Sequence, residues 1–420
     1  MSHPPVRSRL LALSAAAVVA LSLAVAAPAA AHDHHHPAPA TRLFTPPPDT
    51  GAIKQIKQLV KQHNWADAAA LTKMAATPQA VWFTSGTPAE VKRSVQKTMR
   101  QAKLTHSIPV LVAYNLPFRD CAQYSAGGAA DTASYLAWID GFAAGVGNGQ
   151  AIVLLEPDGL GIIPWYTTIN GSQEWCQPAD ADPATAATDR FAMLNYAVDR
   201  LTALPRTSVY LDGTHSAWLG SGDIADRLVK AGVRKADGFF LNVSNYETTE
   251  RQLKFGDWIS KCVYYGTQGA AENRGHFERC ASQYYPASPG DFSTWALSDA
   301  WYAANVGDVS PRRLAHFVVD TSRNGQGPWT APAGVTWPDP QTWCNPPDRG
   351  LGLRPTTRTG DPLADAFLWV KTPGQSDGQC DRGTGTGVDP ARGGTADPAA
   401  GAWFPQQALE LVKLANPPLR

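Results

Sequence analysis

Three aspartates, Asp120, Asp158 and Asp377, stand at or just beyond the ends of apolar, strand-like runs. In Ala151-Ile-Val-Leu-Leu-Glu156-Pro157-Asp158-Gly, a continuous apolar stretch delivers a carboxyl group to the mouth of a buried strand. Ionisation is costly there, so the acid can stay protonated near neutral pH. Asp120, if close, disfavours a second negative charge, and Arg119 beside it is expected to hold Asp120 ionised. Glycosidic cleavage needs such a set: a proton donor for the leaving oxygen and, across the sugar, a nucleophile or a carboxylate that activates water. Aspartate is also common wherever a strand gives way to a helix, and Asp212 and Asp320 are expected to be structural residues of that kind.

Elements that could position these groups alternate along the chain. Apolar, β-rich runs lie at 80–83, 110–114, 152–155, 209–211, 239–241, 316–319 and 366–370. Stretches with apolar residues three or four apart lie between them, at 89–102, 132–144, 188–204, 223–231 and 295–304. Strands alternating with helices imply an α/β fold with a parallel sheet and crossovers. Seven such strands, with no phosphate-cradling glycine motif after an early one, suggest a closed or nearly closed barrel rather than an open nucleotide-binding sheet. Function gathers where parallel strands end. There lie Tyr114, Arg119, Asp120, Glu156, Asp158, Asp212, His215, Asn242, Asn245, Asp320, Arg323, Lys371 and Asp377. The stretch from Glu247 to Arg312 reads as a lid or elaborated loop.

The chain opens with Arg7 and Arg9, an apolar stretch from Leu10 to Ala27 and small residues ending at Ala31, the pattern of a secretory signal peptide over 1–31. Residues 32–48 are His- and Pro-rich and read as a flexible tail. A free end with histidine third can chelate copper or nickel, but a short His tract is usually incidental, and no metal or cofactor is expected. No later run is apolar enough to span a bilayer, so an exported, extracellular protein is expected. Lys plus Arg and Asp plus Glu both number 36, and this zero formal charge gives no reason to expect nucleic acid or an anionic membrane as partner. The six cysteines, Cys121, Cys176, Cys262, Cys280, Cys344 and Cys380, are an even number in such a chain, so disulfides are expected. Fifteen pairings are possible, and the sequential set 121–176, 262–280 and 344–380 is favoured. The 14 Trp and 12 Tyr are plentiful; core packing accounts for most, and sugar stacking could account for a few.

Six ordered motifs carry a resemblance. They are Tyr114-Asn-Leu-Pro-Phe-Arg-Asp-Cys121, Leu155-Glu-Pro-Asp-Gly159, Leu211-Asp-Gly-Thr-His-Ser-Ala-Trp218, Asn242-Val-Ser-Asn-Tyr246, Trp343-Cys-Asn345 and Trp369-Val-Lys-Thr-Pro-Gly-Gln-Ser-Asp-Gly378. From about residue 48 to the C-terminus the chain resembles glycoside hydrolase family 6. The resemblance implies a distorted TIM-like barrel of seven parallel strands, a single catalytic domain over 49–420, and inverting cleavage of β-1,4-glucans without a cofactor. It implies Asp158 as catalytic acid, Asp120 as the carboxylate that raises its pKa and joins a proton relay, and Asp377 as the proposed base. Tyr114 then lies beside the distorted sugar, and Ser125 helps hold the attacking water. Trp82, Trp218 and Trp343 match sugar-stacking positions, and His215, Asn245 and Lys371 match hydrogen-bonding ones; Arg119 and Gln375 complete the expected substrate contacts.

Two departures from the family pattern stand out. Gln375 replaces a common glutamate; a neutral amide binds a hydroxyl but takes no proton. Ser221 stands where processive relatives place another Trp, which favours an open cleft, whereas the Gly/Pro-rich stretch 378–401 could roof the site. Endo cleavage of cellulose or soluble β-glucan by a monomer is the leading expectation. The alternatives are a cellobiohydrolase acting from chain ends and a non-catalytic carbohydrate-binding protein on an inactivated barrel.

Overall fold

The apolar runs form strands that bury both faces. In the computed structural model, which describes residues 1–2 and 41–419, seven parallel strands pair in chain order: β1 (Val81–Phe83), β2 (Val110–Ala113), β3 (Ala151–Leu155), β4 (Thr207–Asp212), β5 (Gly238–Leu241), β6 (His316–Asp320) and β7 (Ala364–Leu368). Side chains alternate along each strand. Val110, Val112, Ile152, Leu154, Tyr210, Phe240, Val318 and Leu368 fill one face as a single cluster. Leu111, Val153, Leu155, Val209, Leu211, Phe239 and Val319 on the other face join the larger core. The sheet curls into a distorted barrel whose edges are joined locally rather than by a ladder. The Ala80 N–H donates to the Trp369 carbonyl at 2.9 Å and the Trp82 indole N–H to the Val370 carbonyl at 2.8 Å.

The helices are α1 (Thr50–Lys61), α2 (Trp65–Ala75), α3 (Pro88–Leu104), α4 (Thr132–Val146), α5 (Ala186–Thr202), α6 (Ser221–Lys230), α7 (Thr249–Gln268), α8 (Trp295–Asn305) and α9 (Pro405–Lys413). Helix α3 shows why its start is well specified. Thr87 and Glu90 form a reciprocal capping box, and Pro88 opens the first turn. A cap of this kind contributes about 1 kcal/mol. Val91, Val95, Thr98 and Ala102 line its buried face. Helices α1, α2 and α9 build a smaller core of their own around Leu71, Trp369 and Leu411.

Three expectations change. The stretch 247–312 is not a lid: it begins with the 20-residue helix α7, whose Phe255, Trp258 and Ile259 are buried in the core behind the sheet. Its apolar residues do recur at helical spacing, but Gly256, Cys262 and the surrounding aromatics blur that period in the sequence; Gly256 is there because a Cβ would meet the Phe317 ring at 2.5 Å. The tail is not loose up to residue 48. Leu43 and Phe44 are buried, and the Ile108 N–H donates to the Arg42 carbonyl at 2.8 Å, so the Pro-rich composition hides a docked segment. Helices α1, α2 and α9 were not anticipated at all. The signal segment 1–31 and the His-rich stretch up to residue 40 lie outside the described residues apart from Met1 and Ser2, and residues 41–419 fall in one unit, His34–Arg420.

Disulfides join Cys121 to Cys176, Cys262 to Cys280 and Cys344 to Cys380. The first ties the loop after β2 to the loop after β3, and the last ties the Trp343 segment to the chain following Asp377. Both brace loops at the carboxyl ends of the strands.

Candidate active site

Those loops enclose a cleft of about 660 Å³, lined by Asp120, Asp158 and Asp377 together with Tyr114, Trp82 and Trp218. Every other residue singled out as catalytic or substrate-binding also lines it: Arg119, Ser125, His215, Asn245, Trp343, Lys371 and Gln375. Its volume lies within the range of ligand-binding clefts.

Asp158 reaches the cleft through an unusual backbone. Glu156 and Asp158 both have positive φ, 57° and 62°, a conformation that costs about 1–3 kcal/mol per residue and clusters at functional sites. Glu156 secures the turn by accepting hydrogen bonds from the Asn115 and Leu116 N–H groups at 2.9–3.1 Å. Burial lifts its carboxyl to about 7 against those donors. The residue beside the acid is therefore a clamp between the ends of β2 and β3, with 1% of its surface exposed.

The Asp158 carboxyl is pushed well above the usual carboxylate range. Burial contributes most, then the charges of Asp212 and Asp120, while Lys371 opposes them. Asp212, read as structural, lies behind it and accepts from the Leu160 and Gly161 N–H groups at 3.2 Å and from Thr214 N–H at 2.9 Å. Burial lifts Asp212 to about 6 against these donors.

Asp120 does not behave as its neighbour suggests. The Arg119 guanidinium turns to backbone, donating to the carbonyls of Thr84, Tyr114, Ser125 and Ala126 at 2.8–3.1 Å, and stacks 4.6 Å from the Tyr114 ring centre. Arg119 thus braces the loop and Tyr114 instead of forming an ion pair with Asp120. Burial raises the Asp120 carboxyl, opposed in part by the Ser125 N–H, which donates to it at 2.8 Å, and by the Arg119 charge.

Asp377 is the opposite case. Arg323 donates to one of its oxygens at 2.9 Å, and Lys371 Nζ stands 3.1 Å from the other. Tyr246 OH and Asn345 N–H add donors at 3.2 and 3.0 Å. Burial pushes this carboxyl up, but Arg323 and Lys371 outweigh it, and the pKa falls to about 2. Asp320, the other aspartate read as structural, accepts from the N–H groups of Ser244, Ser322, Val370 and Lys371 and so fixes the chain that carries Lys371.

The walls are aromatic and neutral-polar. Trp82 meets Tyr114 edge-on at 5.5 Å, and Tyr124 lies 5.9 Å from Trp343. Trp218 packs where a Cβ on Gly161 would come within 2.4 Å of its ring, so a glycine at 161 is a condition for that placement of the indole. Burial lowers His215 to about 4, and its Nδ1 accepts from Ala217 N–H at 3.3 Å. That leaves the proton on Nε2, a donor suited to a hydroxyl oxygen. Asn245 donates to the Val243 carbonyl at 3.2 Å, which fixes its amide. Sequence reasoning missed Tyr124, Trp175, Tyr246 and Trp329, all on the cleft wall. Tyr246 closes a quoted motif and Trp175 adjoins Cys176, so both had a signal; Trp329 lies in a stretch without hydrophobic period and had none.

A family model described as "Glycosyl hydrolases family 6" matches residues 38–415. The chain is 33% identical over 347 residues to "Endoglucanase 1" of Streptomyces halstedii, covering 82% of this chain and 81% of that protein. It is 31% identical over 347 residues to "Endoglucanase A" of Thermobispora bispora, covering 82% of this chain and spanning 57% of the length of that protein. It is also 31% identical over 379 residues to "Probable 1,4-beta-D-glucan cellobiohydrolase C" of Aspergillus niger, covering 83% and 71%. Among solved structures, the endoglucanase of Mycobacterium tuberculosis in complex with methyl-cellobiosyl-4-deoxy-4-thio-beta-D-cellobioside aligns with a TM-score of 0.62 at 32% identity, covering 89% of this chain and 97% of that one.

Proposed function

Since the chain belongs to glycosyl hydrolase family 6, we propose that it is an exported, inverting β-1,4-glucanase that cleaves internal bonds of cellulose or soluble β-glucan. One observation carries this reading: Asp158, whose carboxyl is raised well above the usual range by burial, lines the cleft with Asp120 and Asp377 between aromatic walls. In this role Asp158 hands its proton to the leaving glycosidic oxygen. Asp377, locked as an anion, stabilises the positive charge that develops on the sugar ring. With a pKa of about 2 it is a weak proton acceptor, so it suits the base role expected from the family poorly. Asp120, raised by burial and adjoining Ser125, is the better acceptor for the attacking water's proton. Once Asp158 has ionised, its new charge raises the proton affinity of Asp120 in turn.

Internal cleavage is favoured over end-directed action by Ser221, the position where processive relatives place another Trp: it is fully buried, its hydroxyl donating to the Ala281 carbonyl, and it offers no aromatic platform. From the 378–401 stretch, Ala400 and Gly401 reach the cleft wall. Export agrees with the three disulfides. The test is viscosity against reducing ends on carboxymethylcellulose: rapid thinning per bond cut supports internal cleavage, and slow thinning with cellobiose as main product supports the cellobiohydrolase reading. Binding without any release of reducing sugar would leave only a carbohydrate-binding protein.

A further inference from the structure

A second cavity of about 250 Å³ adjoins the cleft, and Trp82 and Gln375 line both. Asp49 lines only the second. Across this shared wall the Gln375 Nε2 donates to Asp49 Oδ2 at 2.9 Å. The other carboxylate oxygen, Oδ1, accepts from Gly51 N–H at 2.6 Å and caps α1. An ionised carboxylate only accepts hydrogen bonds, so Asp49 can hold Gln375 by its amide nitrogen alone. That leaves the carbonyl oxygen of the side chain, beside the second N–H of its nitrogen, without a part in this contact.

Asp49 is itself held firmly. Trp403 lies over the start of α1, where a Cβ on Gly51 would sit 2.3 Å from its side chain. Its indole N–H donates to Gln55 at 2.7 Å, and Gln55 donates in turn to the Pro405 carbonyl at 2.9 Å. Trp403 also forms an antiparallel bridge with Gln375. A segment that precedes the barrel is thereby tied to the cleft wall at one residue.

We propose that Asp49 is a specificity-determining, positioning residue: it holds the Gln375 amide by its nitrogen, so that the carbonyl oxygen is left as the acceptor for a sugar hydroxyl at this end of the cleft. The inference rests on the glucanase reading above. It makes Asp49 and Gln375 one unit, although 326 residues separate them.

Steady-state kinetics on a soluble cello-oligosaccharide test it with four variants. Asp49→Asn keeps the cap, since asparagine serves as well there, but its amide nitrogen then faces Gln375. The Gln375 amide must flip, turning a donor to the cleft. KM should rise about three- to tenfold, the cost of one mismatched hydrogen bond, with kcat within about twofold. Asp49→Ser, which caps the helix but does not reach Gln375, should raise KM less. Gln375→Glu sets two carboxylates against each other and should also raise KM, and the double variant Asp49→Asn with Gln375→Glu should restore it, because asparagine then donates to glutamate and an acceptor faces the cleft again. Unchanged KM in Asp49→Asn and Gln375→Glu, or a double variant no better than either of these two, overturns the proposal, and a loss of melting temperature alone reduces Asp49 to a helix cap. A wild type that releases no sugar from any β-1,4-glucan fails the glucanase reading instead.

Discussion

Replacing Asp120 with asparagine removes one negative charge near Asp158 while keeping side-chain size and an oxygen for the Ser125 N–H. The Asp158 carboxyl is raised by burial first, by the Asp212 charge second and by the Asp120 charge third. The substitution deletes only the third of these. Removing a like charge favours the ionised form of its neighbour, so the Asp158 carboxyl moves down toward the ordinary range. In the proposed role Asp158 acts protonated, so activity falls as pH rises through its pKa. A lower pKa therefore moves the alkaline limb of kcat/KM to lower pH, and at a fixed pH on that limb every unit of displacement costs about tenfold. The assay is the pH profile of kcat/KM on a soluble cello-oligosaccharide. If Asp120 also accepts the water's proton, the whole curve drops, but its height is independent of the limb's position. A limb that stays in place, or moves to higher pH, refutes the coupling of the two carboxyls.

Asp158→Ala should abolish turnover of substrates with poor leaving groups, by about 10²–10⁴-fold, while oligosaccharide binding survives, because only the transition state needs the proton; calorimetric binding beside initial rates checks this. Arg323→Met leaves buried Asp377 with Lys371 as its remaining cationic contact. Breaking such a pair should destabilise the fold by about 3–5 kcal/mol in urea unfolding. Asp377 is depressed from 3.8 to about 2, so its stabilising contribution, of order 2 kcal/mol, is full above pH about 4 and lost as pH falls through about 2; the gap between variant and wild type should narrow across that window. Reduction of the disulfides, which close loops of 55, 18 and 36 residues, should each remove about 3–4 kcal/mol by loop entropy. Activity should fall with it, and equal melting and activity with and without reductant would contradict the bracing of the catalytic loops.

Much of the architecture was legible because burial on both faces of a parallel strand writes itself as an unbroken apolar run. Every such run is a strand, with ends shifted by a few residues: the last was read as 366–370 and is Ala364–Leu368. The outer helices α3, α4, α5, α6 and α8 follow their apolar spacing closely. Helix α7 was lost because its buried face mixes Cys262, Gly256 and aromatics, and α1 because Gln55 stands among its buried positions. At the site, residue types at strand ends were readable, but partners were not. Nothing local tells that Arg119 spends its donors on four carbonyls, that Arg323 clamps Asp377 from 54 residues away, or that Asp49 reaches Gln375. Those contacts depend on how loops close over the barrel, which no short-range pattern encodes.

The protonation of Asp158 can be watched directly. With aspartate carboxyls labelled by ¹³C, the resonance absent from Asp158→Asn identifies this residue. A carboxyl kept neutral by burial and its acidic neighbours stays at its protonated chemical shift at a pH where an ordinary aspartate, at about 3.9, is fully ionised. A resonance that titrates near that ordinary value would mean that Asp158 enters the reaction as a carboxylate, with no proton to give.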